Sequence, residues 1–208
     1  FIIKNLFTNV VVSNCHHISA EVFSRSLFKI VTPFMLGLSA TMNRKDGLTK
    51  VFKMFLGDVV YKLVRDGDDR VTVRSIQYKH SDPDFSKVEY NFKGQTHYAI
   101  MIRKLCEFNH RSEFILRVLQ DTLEETPDQQ IMILAHNKSL LRYLHDAIEH
   151  RDIATVGYYV GGMKEAALKE TEGKQVVIAT YAMAEEALDI KSLATLIMAT
   201  PKTDVTQA

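Results

Sequence analysis

The sequence has 208 residues, of which 46% are hydrophobic and 25% charged, a composition that supplies one large core or two small ones. Lysine and arginine number 26 against 25 aspartates and glutamates, so any nucleic-acid surface would need local segregation of charge. The cysteines Cys15 and Cys106 are too few for a disulfide scaffold and lack metal-ligand spacing. No apolar run reaches the roughly 18 residues that cross a bilayer, and no signal-peptide pattern is present.

We therefore expect a soluble intracellular chain, with no membrane partner, that is cytoplasmic, nuclear or associated with a virus. The chain begins at Phe1 rather than at Met, and we expect it to be a fragment of a longer protein.

The first predicted strand covers residues 8–12 and runs directly into the polar residues Ser13, Asn14 and His16. An apolar strand that ends in polar residues is typical of a site that holds Mg²⁺ for phosphate chemistry. The alternative is a simple turn followed by a pair of surface histidines.

A helix is predicted to begin at Ser19 and to end before Pro33. The second strand, residues 34–38, leads into the small residues Ser39, Ala40 and Thr41. Small hydroxyl side chains at a strand end can hydrogen-bond to a neighbouring site. A further helix is predicted over residues 48–56.

A linker is predicted at residues 66–70, which are charged and contain a glycine. It separates a first domain, residues 1–65, from a second, residues 71–208. Predicted strands at residues 59–63 and 71–78 flank the linker.

The second domain is predicted to alternate helices and strands, which favours an α/β fold. The predicted helices are residues 98–108, 112–123, 139–150 and 163–171, and the predicted strands are residues 130–135, 155–160 and 176–178. Two strands end in candidate ligand-binding residues, because His136 and Asn137 follow one and Gly161 and Gly162 follow another. His136 could equally be a satisfied histidine at a helix start, and the glycine pair could form a plain tight turn.

The strand at residues 176–178 stops at Thr180, and we expect a loop there, followed by a second apolar run at residues 193–199. In open α/β sheets, ligands bind where strands end at their carboxyl side. The expected loop also carries Glu185, Glu186 and Asp189.

Residues 180–190, followed by Ala199, Thr200 and Pro201, resemble motif V of superfamily 2 helicases. The closest likeness is to the Asp-Glu-x-His group of phages and large DNA viruses, although that family usually has glycine where Ala187 stands. Residues 36–41 with 43–48 resemble motif III and its following loop, residues 130–138 resemble motif IV, and residues 202–207 resemble the entrance to motif VI. The alternative is an unrelated βαβ crossover with a polar loop.

The resemblance assigns roles to particular residues. Ser13, Asn14 and His16 occupy a degenerate catalytic motif II, and Ser39, Ala40 and Thr41 are coupling residues. The implied nucleic-acid contacts are His136, Asn137, Gly161, Gly162 and Thr180. The implied nucleotide or interlobe residues are Glu186, Asp189 and Gln207.

The sequence departs from the family where Ser13 and Asn14 replace an aspartate and a glutamate. Neither residue supplies a negative charge for Mg²⁺, and Asn14 cannot act as a general base. The sequence also lacks the Gly-x-x-x-x-Gly-Lys-[Ser/Thr] loop that cradles phosphates. ATP and Mg²⁺ are thus implied for the parent protein, and we expect this chain alone to bind neither tightly and to lack ATP hydrolysis.

The resemblance implies an α/β fold with RecA-like parallel sheets flanked by helices, comprising part of a first lobe and most of a second. It implies a nucleic-acid-dependent ATPase that acts as a helicase or translocase, on DNA in preference to RNA. The alternative is a catalytically silent helicase-like module that binds nucleic acid or a partner.

Overall fold

The computed structural model describes residues 3–4, 8–15, 21–39, 49–63, 71–187 and 190–202. The chain forms two compact units, Phe1–Arg74 and Ser75–Ala208. The predicted linker, residues 66–70, lies outside the described ranges.

The described residues of the first unit form two pairs of parallel strands. Strand β1, Ile3–Lys4, pairs with β3, Ile30–Val31, and strand β2, Asn9–Val12, pairs with β4, Phe34–Gly37. Helix α1 is Glu21–Leu27, and helix α2 is Thr49–Leu56.

The small core of this unit is built from Val12, Cys15 and Leu27. A side chain at Gly37 would collide with Leu56 of α2, so glycine allows the helix to approach β4 closely. This packing holds the ends of β2 and β4 in place.

The predicted strands at residues 59–63 and 71–78 are wrong, because neither segment forms a strand. A strand needs a neighbouring backbone to pair its N–H and C=O groups. Within the described part of the chain no such neighbour pairs with them, and Val60 and Val73 are 89% and 85% exposed. Alternation of apolar residues was therefore not sufficient to specify strands here.

The second unit begins with helices α3, Pro83–Ser86, α4, Tyr98–Glu107, and α5, Asn109–Glu125. It continues with β5, Gln130–Ala135; α6, Lys138–His150; β6, Val156–Tyr159; α7, Glu165–Glu172; β7, Val176–Thr180; α8, Tyr181–Ala187; and β8, Leu193–Met198. The four strands form one sheet in the order β6-β7-β5-β8, and every neighbouring pair is parallel.

The central strands β5 and β7 are covered on both faces. Ile131, Ile133 and Ile178 pack with the helical residues Leu116 and Leu144, whereas Met132, Leu134 and Val177 pack with Tyr159 and Tyr181. Successive residues of a strand face opposite sides of its sheet, so burial of both faces requires a continuous apolar run. The α/β class with parallel sheets flanked by helices is thus confirmed.

Two details of this unit differ from the prediction. Only Phe108, which has an extended backbone, separates α4 from α5. Its carbonyl oxygen accepts hydrogen bonds from the N–H groups of Arg111 and Ser112, so residues 109–111 are helical and do not form the predicted break. The expected loop after Thr180 is helix α8, because Tyr181 and Ala184, three residues apart, bury one helical face against the sheet.

No helix in the described ranges is long and apolar enough to cross a membrane.

Candidate nucleic-acid interface

The carboxyl edge of the second sheet gathers the predicted nucleic-acid residues of this unit. His136 follows β5 and Thr180 ends β7, and the residue before His136, Ala135, is the register partner of Thr180. Gly161 and Gly162 follow β6, which lies on the other side of β7. Parallel strands end at the same edge, so residues that are distant in sequence share one surface here.

Asn137 has a structural function at this edge. Its side-chain oxygen accepts hydrogen bonds from the backbone N–H and the hydroxyl of Ser139, each at 2.8 Å. This is the geometry of a helix N-cap, which satisfies a donor that the first turn of α6 leaves open. The side-chain oxygen of Asn137 is therefore engaged in starting the helix.

His136 is exposed, and its ring packs against Tyr181, with 4.8 Å between the ring centroids. Partial burial lowers the pKa of His136, the charge of Lys202 lowers it further, and Glu185 opposes the shift. The imidazole is therefore neutral near pH 7, where one nitrogen can donate a hydrogen bond and the other can accept one.

Tyr181 and Thr200 form a buried link beneath His136. The Tyr181 hydroxyl donates to the Thr200 carbonyl oxygen at 2.6 Å, and the Thr200 hydroxyl oxygen accepts the backbone N–H of His136 at 3.0 Å. Burial raises the pKa of Tyr181, so its hydroxyl remains a donor across the ordinary pH range. Both residues lie within motifs that the sequence contains, but no role was predicted for either, and the aromatic residue directly after the strand end was the available signal.

Side chains of three helices hold the backbone that leaves β8. Arg111 of α5 donates to the Ala199 carbonyl oxygen at 2.5 Å, and Tyr98 of α4 donates to that of Pro201 at 3.3 Å. The Lys202 ammonium lies 2.6 Å from a Glu185 carboxylate oxygen of α8. The exit of β8 is thereby fixed to elements that begin far away in sequence.

Arg111 is a further residue that the sequence analysis missed. Burial lowers its pKa, but a guanidinium remains charged under ordinary conditions. Its second terminal nitrogen, Nη1, is buried and has no hydrogen-bond partner among the described residues. A half-buried cation, with one buried nitrogen that no described residue pairs with, thus lies behind the carboxyl edge.

Two exposed lysines stand at the same edge, where α6 and α7 begin. Lys138 is the first residue of α6, and Lys164 precedes the first turn of α7. Gly162, in the turn before α7, has a φ of +92°, which glycine adopts without strain. This edge therefore combines two exposed ammonium groups, a neutral imidazole and exposed glycine backbone.

The first unit brings Ser13, Asn14 and Ser39 to one edge of its β2-β4 pair. The Cys15 N–H donates to the Leu38 carbonyl oxygen at 3.0 Å, so the turn that holds Ser13 and Asn14 lies beside the end of β4. Ser13 and Asn14 are exposed, and Asn14 has a φ of +49°, a conformation that asparagine tolerates better than most residues.

This edge of the first unit does not fit Mg²⁺. Ser13, Asn14 and Ser39 are all uncharged, whereas Mg²⁺ is usually held through one or two carboxylates. Within the part of the chain that is described, no group of three or more His, Cys, Asp or Glu side chains could hold a metal ion.

Several predicted site residues lie outside the described ranges. They are His16, Ala40, Thr41, Asp189 and Gln207. Glu186 belongs to α8, but its side chain is not described. Their assigned roles stay predictions.

No family model matches the chain, but the three curated relatives described next are all named as helicases. A mimivirus protein of Acanthamoeba polyphaga, named as a candidate ATP-dependent RNA helicase, is 30% identical over 207 residues, which are 97% of this chain and 39% of the relative. A candidate helicase of Escherichia phage T5 is 24% identical over 94% of this chain and 42% of its own length. A candidate ATP-dependent RNA helicase of African swine fever virus is 26% identical over 94% of this chain and 42% of its own length.

Two solved structures are also similar over 93% of this chain. They are T4 UvsW, with a TM-score of 0.48 and 19% identity over 38% of that chain, and the Hef helicase domain of Pyrococcus furiosus, with a TM-score of 0.45 and 12% identity over 65% of that chain.

The three curated relatives, from viruses and a phage, are named as helicases, and they support the resemblance to superfamily 2 helicases that the motifs predicted. The chain spans about two-fifths of the length of the curated relatives described above.

Proposed function

We propose that the chain is part of a nucleic-acid-dependent ATPase that acts as a DNA helicase or translocase, and that the carboxyl edge of its second sheet contacts nucleic acid. The observation that carries this proposal is the convergence of His136, Thr180 and the glycine pair on one edge, beside two exposed lysines. The helicase names of the viral relatives support it. On this proposal, Phe1–Arg74 contains the end of a first RecA-like lobe, and Ser75–Ala208 is most of a second.

The chemistry of the edge suits contacts to the nucleic-acid backbone. Lys138 and Lys164 can pair with phosphates, the neutral His136 ring can donate an N–H, and the backbone at Gly161 and Gly162 is open to close approach. Phosphate contacts carry no sequence information, so binding would be tolerant of sequence, as movement along a strand requires.

Salt-dependent binding tests the proposal. A labelled oligodeoxythymidylate of about 20 nucleotides, titrated with the chain at increasing salt, should bind more weakly as salt rises. Lys138→Ala and Lys164→Ala should each reduce the slope of log K against log salt by about 0.7. A matched oligouridylate measures the preference for DNA, because the names of the mimivirus and swine fever relatives refer to RNA.

Lys169→Ala is the matched control on α7. Lys169 is equally a surface lysine but lies 3.2 Å from Glu165, so it is already paired within its own helix. Its removal should leave the slope unchanged. Equal slopes for all three variants would contradict a nucleic-acid surface at this edge.

We further propose that the chain alone does not hydrolyse ATP. Uncharged residues stand at the end of β2, and the 208-residue sequence contains no phosphate-cradling glycine loop. Phosphate release in the presence of ATP and DNA should be undetectable for the purified chain. Measurable release above a no-protein control would overturn this part of the proposal.

A second candidate is a catalytically silent helicase-like module, which Ser13 and Asn14 specifically favour. The two functions differ in what surrounds the chain in its coding region. A glycine-rich phosphate loop upstream of Phe1 and the remainder of motif VI downstream of Ala208 support the enzyme. In that longer protein, the double change Ser13→Asp and Asn14→Glu should raise ATP hydrolysis, whereas a silent module should not respond.

A further inference from the structure

A short hairpin precedes helix α4 in the second unit. The His97 N–H donates to the Glu89 carbonyl oxygen at 2.8 Å, and the Asn91 N–H donates to that of Gln95 at 2.8 Å. Tyr90 and Thr96 form an antiparallel bridge between these bonds. We refer to residues 89–97 as the 89–97 hairpin.

The tip of the 89–97 hairpin is held by side-chain and backbone bonds. The side-chain oxygen of Asn91 accepts the N–H groups of Lys93 and Gln95 at 2.9 and 3.0 Å, as in an Asx turn. The Gly94 N–H donates to the Asn91 carbonyl oxygen at 3.0 Å, and Gly94 has a φ of +73°. The tip therefore has a defined conformation.

The base of the hairpin is anchored to α4. The Lys104 ammonium donates to the Lys87 carbonyl oxygen at 2.9 Å and lies 3.7 Å from the Glu89 carboxylate. The Glu89 N–H also contacts the Met101 sulfur at 3.4 Å. Movement of the hairpin is thus limited by a packed helix.

This anchored tip presents aromatic rings to solvent. Phe92 is 94% exposed, and Tyr90 on the adjoining strand is 63% exposed. Burying a phenylalanine side chain typically gains about 1.5–3 kcal/mol, and the fold leaves this gain unused at Phe92. An aromatic ring that an ordered turn keeps exposed to solvent indicates a surface that binds a partner.

The charge beside the Phe92 ring is complementary to a phosphate. Lys93 lies beside Phe92, with its ammonium 5.6 Å from the ring centroid. At the base of the hairpin, the Glu89 carboxylate lies 3.9 Å from the Lys87 ammonium and 3.7 Å from that of Lys104. Further acidic residues line the same pocket, namely Asp82, Asp84 and Glu107. Lys93 therefore supplies the positive charge at the tip. An aromatic face beside an ammonium group is the combination that binds a nucleobase and its phosphate together.

We propose that the 89–97 hairpin is a contact for single-stranded nucleic acid, in which a base stacks on Phe92 and the Lys93 ammonium pairs with a neighbouring phosphate. This site rests on the proposed function, because it requires that the chain bind nucleic acid. It lies before α4 and uses none of the residues that follow the strands of the sheet.

Phe92→Trp gives a direct probe, because the sequence contains no tryptophan. Its single indole should bind as the phenylalanine does, and its fluorescence should be quenched when an oligodeoxythymidylate or an oligouridylate of about 20 nucleotides is added. A strand of equal length without bases should cause no quenching. Unchanged emission at saturating oligonucleotide would overturn the stacking contact.

Affinity measurements complete the test. Phe92→Ala should weaken oligonucleotide binding by about tenfold, and Phe92→Leu should do the same because leucine is apolar but offers no aromatic face. Lys93→Ala should reduce the salt slope by about 0.7. Tyr61→Ala is the matched control, since Tyr61 is an aromatic residue that is 78% exposed in the first unit, and its removal should leave affinity unchanged.

The outcomes separate this inference from the proposed function. If the unmodified chain binds the oligonucleotide and Phe92→Ala and Phe92→Leu bind equally well, the hairpin contact is wrong and the proposed function stands. If the unmodified chain shows no salt-dependent binding, both are overturned.

Discussion

Tyr181 joins helix α8 to the backbone that leaves β8. The residue is 2% exposed, its ring packs against His136, and its hydroxyl donates to the Thr200 carbonyl oxygen. Lys202 adds its ammonium 5.3 Å from the centroid of the same ring. One side chain thus connects the ends of three strands at the proposed nucleic-acid surface.

Tyr181→Phe should destabilise the second unit by about 1 kcal/mol, because it removes a buried hydrogen bond and leaves the Thr200 carbonyl oxygen without that donor. The midpoint of urea unfolding measures the change. Tyr98→Phe is the control, since its hydroxyl makes a longer bond of 3.3 Å at an exposed site. An equal or smaller loss for Tyr181→Phe than for Tyr98→Phe would contradict this role.

Glu113 gives a prediction about pH. Hydrogen bonds from Arg151, at 2.8 and 2.7 Å, and from Tyr143 lower the pKa of this carboxyl from 4.5 to about 2. Because the folded-state pKa lies below the unfolded value, the stabilisation is full above about pH 4.5 and is lost as pH falls towards 2. The effect is modest, since the Glu113 side chain is 37% exposed and solvent screens the pair.

Glu113→Gln should therefore lower the urea midpoint at neutral pH, and its difference from the unmodified chain should shrink as pH falls through this window. Glu165→Gln, which removes a carboxylate that is 83% exposed, should have no comparable effect at any pH. A Glu113→Gln difference that is constant with pH would contradict the assigned pKa.

The sequence predicted the polar residues at strand ends but not the side chains that support them. His136 and Thr180 were identifiable because each directly follows an apolar run. Arg111 and Tyr181 were not, because their partners Ala199 and Thr200 are 88 and 19 residues away in the chain. Long-range contacts of this kind are set by the order of strands, which periodicity does not reveal.

At the scale of elements, the packing of α7 against β6 depends on Gly157. A Cβ atom there would lie 2.8 Å from the Thr171 hydroxyl oxygen and 2.9 Å from its methyl carbon. Thr171 is 5% exposed, and its hydroxyl donates to the Tyr158 carbonyl oxygen at 2.9 Å, so it has little room to move. The glycine allows the helix to lie directly on the strand.

Gly157→Ala should destabilise the second unit by about 1–3 kcal/mol through overpacking. Gly161→Ala is the matched control, because an added Cβ would meet only the Met183 sulfur, at 3.9 Å. Thermal unfolding of the two variants measures the contrast. Equal melting temperatures would show that α7 moves away from β6 at no cost.

Elements were predictable where burial and periodicity agreed. The strands β5 and β7 are continuous apolar runs in a sheet covered on both faces, and α6 was predicted to within one residue at its start. The segments at residues 59–63 and 71–78 also alternate or are apolar, yet they have no strand neighbour among the described residues. An extended segment becomes a strand only if a neighbouring strand pairs with it. A local sequence pattern does not show whether such a neighbour exists.

At the scale of the whole chain, similarity to helicases does not by itself imply that this chain hydrolyses ATP. The chain is similar to helicases of viruses and phages, and its motifs resemble those of superfamily 2 helicases. Ser13 and Asn14, which follow β2, are uncharged, whereas candidate nucleic-acid residues stand at the ends of three neighbouring strands of the second sheet. We therefore propose that this chain binds nucleic acid and expect no ATP hydrolysis from it alone.

The most direct test of this account is an amide chemical-shift map of the isotope-labelled chain during titration with an oligodeoxythymidylate of about 20 nucleotides. We predict that the largest changes fall on residues 136–138, 161–164 and 180–183, at the carboxyl edge of the second sheet. The amides at the opposite ends of the strands, residues 129–130, 155 and 174–175, should move little. Changes confined to that opposite edge, or no changes at saturating oligonucleotide, would contradict it.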